Sequence, residues 1–329
     1  LLGELAHTAF ARDQLFFIKS ELTESIRYFL EQRLNAPRTL DAERVLEAIE
    51  VHQGLLVQRT HENYSFSHLT LQEYLTARHV SEEGWLESTV KEHLCDDRWR
   101  EVFLLLSNMS QSTTLLQAMV AQTQFLMHGD PLVFRWISAT QRLATPHEQA
   151  EQALFNRTAN CYFALALAHS LINDIALTRD RESELELVRS LERCLQLARK
   201  LAFALYRDCV VPINLGNARD NDIALDTDSA KCFAESWAQA QCADLVLLAR
   251  GMKWLKKPLN ADMRDGKVGR LPTDRLVNAL RRLGFPRPTS IKQIEQLTQV
   301  LTTTLLIVEC KASSLRLKGA DWKKLCGLL

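Results

Sequence analysis

The chain has 329 residues, 47% hydrophobic and 24% charged, with 40 basic side chains cancelling 40 acidic ones. That composition is ordinary for a soluble globular protein with room for two or three domains. Balanced charge gives no built-in attraction for nucleic acid or an acidic membrane, and no apolar run approaches the roughly 20 residues needed to span a bilayer. With no charged-then-apolar leader at the start, a cytoplasmic location is expected.

In chain order, residues 42–52 read as a helix and residues 54–59 as a short strand. Thr60, His61, Glu62 and Asn63 then supply a polar turn of hairpin length. After the strand of Tyr64, Ser65 and Phe66 the apolar spacing becomes helical, with Leu71, Tyr74 and Leu75 at i, i+3 and i+4, and Arg78 and His79 near the end. Thr70 followed by Glu73 fits a capping box if the helix begins there. Helix, hairpin, helix is the grammar of a winged-helix domain, and His68 sits at its strand-to-helix turn.

From about residue 81 the chain reads as helices. Residues 83–94, 98–108 and 115–127 carry helical periodicity, and Pro131 and Pro146 punctuate the run. Trp99 and Phe103, at i and i+4, are suited to docking the first of these helices on the winged helix. The clearest helix spans residues 181–208. Val188, Leu191, Leu195, Ala198, Ala202 and Leu205 recur there at spacings of three and four. The stripe reads as core packing, with a short coiled-coil seam as the alternative.

Gly216, Asn217, Asp220, Asn221, Asp222, Asp226 and Asp228 then form an acidic linker that lacks the glycine and bidentate Glu of a calcium loop. Beyond it, residues 232–255, 273–283, 290–302 and 305–317 look helical. Lys253, Lys256, Lys257, Arg264, Lys267 and Arg270 form a basic cluster, read as a wet surface, with contact to a nucleic acid or an acidic partner as the alternative. The expected fold is mainly α: a winged-helix domain with a small β-hairpin over 1–80, a helical domain over 81–215, the linker over 216–230, and a C-terminal helical domain over 231–329.

Eight cysteines, at 95, 161, 194, 209, 232, 242, 310 and 326, include no C-x-x-C pair and sit mostly in apolar helical stretches, which points to reduced, buried thiols. Nine histidines are dispersed without H-x-x-x-H spacing, so no metal site is expected. There is no G-x-S-x-G, no H-E-x-x-H and no phosphate-binding G-x-x-x-x-G-K-[ST] loop, so no catalytic residue is assigned and the chain alone is not expected to be an enzyme.

Several segments together carry a family resemblance: Leu1-Leu2-Gly3-Glu4-Leu5-Ala6, Phe16-Phe17, Glu21-Leu22, Gly54-Leu55-Leu56-Val57 and, above all, Phe66-Ser67-His68-Leu69-Thr70-Leu71-Gln72-Glu73-Tyr74. They resemble the winged-helix domain of NACHT proteins, signal-transducing ATPases of the STAND class. Asp96-Asp97-Arg98-Trp99-Arg100-Glu101-Val102-Phe103 resembles the segment that follows this domain in bacterial members. Leu306-Ile307-Val308-Glu309-Cys310-Lys311-Ala312 and Trp322 resemble their C-terminal helices more diffusely. Opening at Leu1 inside a family-like segment, the sequence is expected to be the C-terminal portion of a longer protein with a NACHT ATPase upstream.

The resemblance implies that His68 faces that ATPase and donates to the β-phosphate of bound ADP, so that ADP locks the closed state and exchange for ATP with Mg releases it. The alternative is that His68 bonds a backbone group at the helix start. The resemblance further implies a sensor role in bacterial innate defence, including against phage, with an unknown trigger recognised by the helical region and homo-oligomers forming on activation. A second function class is a winged-helix DNA-binding regulator with a helical dimerisation region. Against it, the helix that would enter the major groove carries Asp41, Glu43, Glu47 and Glu50 with only Arg44 opposing.

Overall fold

The structure is a computed structural model. It describes residues 1–33, 41–109, 111–142, 182–210, 284–286, 290–314 and 317–329, with scattered positions between 150 and 168. Two compact units emerge: residues 1–118 with 313–316, and residues 119–312 with 317–329. The expected acidic linker, the basic cluster at 253–270 and the expected helices over 232–255 and 273–283 lie outside the described residues.

The first unit opens with α1 (Leu2–Ala11), which ends where Asp13 turns to φ 58°. Asp tolerates that left-handed backbone better than most residues. Its carboxylate meets Arg98 at 3.2 Å, and Arg98 also binds Asp96 at 2.7 Å, tying the end of α1 to the turn ahead of Trp99. The strand β1 (Phe17–Ile18) leads into α2 (Lys19–Gln32), whose Leu22, Ile26 and Leu30 recur at four-residue spacing and are buried. Asp41 then caps α3 (Ala42–Ala48) by accepting the Glu43 N–H at 2.9 Å. One wide π turn, Ile49–Gln53, extends α3 to Gly54, which closes it at φ 61°.

The wing follows. β2 (Leu56–Thr60) and β3 (Asn63–Phe66) pair antiparallel with Leu56 opposite Phe66, and β1 pairs with the other edge of β3, giving the order β1-β3-β2. A bulge between Gln58 and Thr60 twists the hairpin, and the Asn63 side-chain amide bonds the Thr60 hydroxyl at 3.0 Å across its turn. The Glu50 carboxylate accepts the Gln58 N–H at 3.1 Å and the Tyr64 hydroxyl, which fastens the π turn to the wing. Phe17, Phe66, Leu56, Leu46, Ile49, Leu22 and Ile26 form one core beneath the sheet, with Phe17 and Phe66 edge to face at 5.7 Å.

After the wing come α4 (Leu69–Glu83), α5 (Leu86–His93), a single 3₁₀ turn (Asp97–Trp99) and α6 (Arg100–Ser107). Both α1 and α6 pack on α4. The first unit therefore continues past residue 80, because Trp99 and Phe103 are fully buried in it. The expected capping box is not formed. The helix starts two residues earlier, with His68 and not Thr70 as the capping residue, so Thr70 lies inside the first turn and Glu73 is buried instead of reaching back to a cap.

α7 (Ser112–Gly129) leads into the second unit. There Asp130 caps α8 (Pro131–Arg142), accepting the Leu132 and Val133 N–H groups at 2.7 and 3.2 Å while Pro131 takes the first helical position. α9 (Glu182–Val210) realises the long helix, and Val188, Leu191, Leu195, Ala198 and Leu205 are buried within this one chain, so the stripe is core and not a seam for a second copy. Cys194 on α9 touches Thr298 of α10 (Ile291–Ser313).

α10 corrects the expected pair of helices over 290–302 and 305–317, since it is unbroken. The β-branched Thr302, Thr303 and Thr304 weaken helix propensity, but the Thr303 and Thr304 hydroxyls, buried, donate to the Val300 carbonyl at 3.0 and 2.7 Å and so need no break. α11 (Gly319–Leu328) completes the unit, and Arg157 donates to the Cys326 carbonyl in its last turn at 2.9 Å. No described helix is long and apolar enough to cross a membrane.

Candidate functional site

The turn from β3 into α4 is where an exposed, chemically capable side chain meets a prepared backbone. Ser65 and Phe66 are buried and fix the strand, and the Ser67 N–H bonds the Leu55 carbonyl at 3.0 Å. His68 then takes an extended conformation (φ −137°, ψ 145°) as the residue before α4 and receives the Leu71 N–H on its own carbonyl at 3.1 Å. Its imidazole is exposed and makes no side-chain cap bond, so the backbone-bonded alternative is not what the fold contains.

Two consequences follow for chemistry. The opening N–H groups of α4 have no side-chain acceptor, and the amino end of a 15-residue helix carries a partial positive charge. Such an end favours an anion, and an imidazole held beside it adds a compact donor. Arg59 reaches the same turn from β2. It donates from Nε to the Ser65 hydroxyl at 2.8 Å and from Nη2 to the Ser67 carbonyl at 3.4 Å.

Large apolar side chains are exposed near this turn as well. Leu69 next to His68 is 51% exposed. The Gln72 amide on α4 donates to the Gln14 carbonyl at 3.3 Å, which brings the 14–16 segment alongside, and there Leu15 and Phe16 are 50% and 59% exposed. A charged or polar tip set among large exposed hydrophobics suits a face that another domain covers.

Behind that turn, burial holds the Glu73 carboxyl above its ordinary range, and the neighbouring charge of Glu101 adds to the effect. The residues of α3 facing away from the core stay acidic. Glu43 pairs with Lys19 at 3.6 Å and Asp41 with Arg44 at 4.0 Å, while Glu47 is exposed. This helix presents no excess of positive charge to phosphate.

Sequence reading treated the histidines as dispersed. The fold instead gathers His7, His79 and His93 with Trp85 and Trp99 where α1, α4 and α5 meet. Spacing along the chain gave no sign of it, because the residues come from separate helices. Among the described residues, no group of three or more His, Cys, Asp or Glu side chains is arranged to hold a metal ion. None of the described cysteines forms a disulfide. Cys161, Cys194, Cys310 and Cys326 are buried and Cys95 is exposed. Burial pushes the Cys161 and Cys194 thiols well up, which keeps them inert.

Residues 11–80 match a family described as the winged helix-turn-helix domain C-terminal to NACHT. No curated protein and no solved structure matches the chain. The matched span begins at the end of α1 and stops within α4, so it encloses the sheet, the wing and the His68 turn.

Proposed function

We propose, from the premise that residues 11–80 are a winged-helix domain of the kind that stands C-terminal to NACHT, that this chain is the regulatory and sensor portion of a NACHT-type STAND ATPase. In this reading an upstream ATPase domain binds ADP or ATP with Mg, and the winged helix docks on it through the His68 turn. The imidazole donates to the β-phosphate of ADP and the uncapped start of α4 adds its field, so ADP holds the closed state. Exchange for ATP shifts the population towards an open one. The helical region recognises the trigger, the open form assembles into homo-oligomers, and the protein serves cytoplasmic innate defence in bacteria, including against phage.

The observation that carries this reading is the exposed, unbonded His68 at the amino end of α4 inside the matched domain. The test is calorimetry of ADP binding to this chain and to a protein that includes an upstream NACHT domain, each with His68 intact and as His68→Ala. Tight binding only in the longer protein, weakened about tenfold or more by the substitution, is the expected result for loss of one charge-assisted bond. ADP retention indifferent to His68 would leave the turn a connector and remove the sensor assignment.

A further inference from the structure

The cluster of His7, His79, His93, Trp85 and Trp99 is built from separate elements. His7 comes from α1, His79 from α4 and His93 from α5, while Trp85 precedes α5 and Trp99 ends the 3₁₀ turn. His93 stacks face to face on Trp99, with ring centroids 4.0 Å apart and planes 3° from parallel. His7 stands at the centre, 5.6 Å from His79, 5.3 Å from Trp85 and 6.0 Å from Trp99. His79 meets Trp85 edge to face at 5.2 Å.

His7, His79 and His93 are half-buried, and Trp85 at their edge is 43% exposed. Trp99 has zero exposure, and its indole N–H has no partner. At Gly3, α1 comes so near α4 that a Cβ would stand 3.2 Å from the Cβ of His79. Ala6, Phe10, Val80 and Val90 line the same helices as buried side chains.

We propose that this histidine and tryptophan seam is an acid-sensitive latch that holds α1 on α4 while its imidazoles are neutral and releases α1 when they take up protons. Neutral imidazoles pack against each other without repulsion; the drive to release comes from charge on neighbouring rings and not from the stack of His93 on Trp99, which an imidazolium would keep. Two imidazolium ions at these separations in a half-buried seam repel, and the carboxylate in reach of His93, Glu92, is itself well solvated.

The charged groups facing the seam bear this out. From α5, Glu92 approaches the His93 ring at 3.8 Å, but its side chain is 68% exposed. Asp96 is spoken for by Arg98, which brings a positive charge of its own and is shared with Asp13 at the end of α1. On α4, Glu82 is held by Arg78 at 2.7 Å. Burial holds the His7 imidazole below its ordinary value, and the charges of His79 and His93 lower it further against the pull of Glu92. Burial likewise lowers His93, opposed by Glu92 and Asp96 and aided by Arg98.

The sign is then fixed. A released α1 takes protons at the ordinary imidazole value, so the latch is at full strength above that value and is lost as pH falls towards the lowered ones. Glu73 on α4 works in the opposite sense, since its raised carboxyl gains a proton more readily in the fold. α4 is also the helix that His68 precedes, so release would loosen the element on which the anion-favouring turn stands. The latch does not depend on the nucleotide reading.

The test uses the full chain with carbon-13 in the histidine rings. Ring resonances and the hydrogen-exchange protection of α1 amides are followed from about pH 7.5 to about pH 5.5. His7 and His93 should titrate below the ordinary imidazole value, and α1 protection should fall by about tenfold or more while α9 keeps its own. In His7→Phe, which keeps an aromatic ring but removes the central proton acceptor, α1 should stay protected at the acid end. Titration of His7 and His93 at the ordinary imidazole value, or α1 protection that is constant with pH or falls equally in His7→Phe, would overturn the proposal. The wild-type titration decides it even if the variant does not fold.

Discussion

Trp99 lies between the stacked ring of His93 and the edge of Phe10, with no exposed surface. Truncating it to Ala should cost about 3–5 kcal/mol, read as a lower denaturant midpoint, because the hole is walled by elements that cannot collapse into it together. Trp99→Phe should cost clearly less, since the lost indole N–H has no partner to strand. Glu73 makes the opposite prediction. Its carboxyl is raised by burial and by Glu101, so the ionised form weighs against the fold at neutral pH and the penalty fades as pH falls through the raised value. Glu73→Gln should raise the melting midpoint at neutral pH and remove that part of the pH dependence; a midpoint lowered at neutral pH would contradict the assigned sign. The burial of Trp99 was legible from its i, i+4 partner Phe103. That of Glu73 was not, because in the sequence it stood as the far end of a capping box.

Helices in this chain end where backbone chemistry ends them. α4 stops at Gly84 with φ 73° and the π turn after α3 stops at Gly54 with φ 61°, and at neither does an added Cβ meet an atom within 4 Å. The strain of Gly→Ala at these sites is therefore conformational alone, about 1 kcal/mol each, with Gly→Asn milder. Thermal unfolding of Gly54→Ala and Gly84→Ala, singly and together, checks it, and the two losses should add because no shared partner links the sites. At this scale the wing is readable from its turn residues. The start of α4 and the continuity of α10 were missed. A cap is chosen by where the strand before it is anchored, and Thr302, Thr303 and Thr304 look like a break until their hydroxyls find the Val300 carbonyl.

At the scale of the whole molecule there are two units, one containing the winged helix and α4, the other containing α9 and most of α10. The described stripe residues of α9 are buried within their own chain, so a second copy would have to use another surface. In the proposed reading, the exposed Leu15, Phe16 and Leu69 are candidates for contact with an upstream NACHT domain. Phe16→Ser in a protein that includes that domain should loosen ADP retention without lowering the stability of this chain, because the side chain is already 59% exposed here. A stability loss equal to that of a core residue would show instead that Phe16 is a packing residue.

Sequence alone determined the winged-helix order, the helical remainder and the place of His68, because each is written in local period, turn residues and a contiguous motif. Tertiary structure decided that His68 is unbonded and exposed, that Glu73 is buried, and that His7, His79 and His93 converge on Trp85 and Trp99. Those outcomes depend on how α1, α5 and α6 are laid against α4, and such packing joins residues far apart in the chain that no local pattern relates.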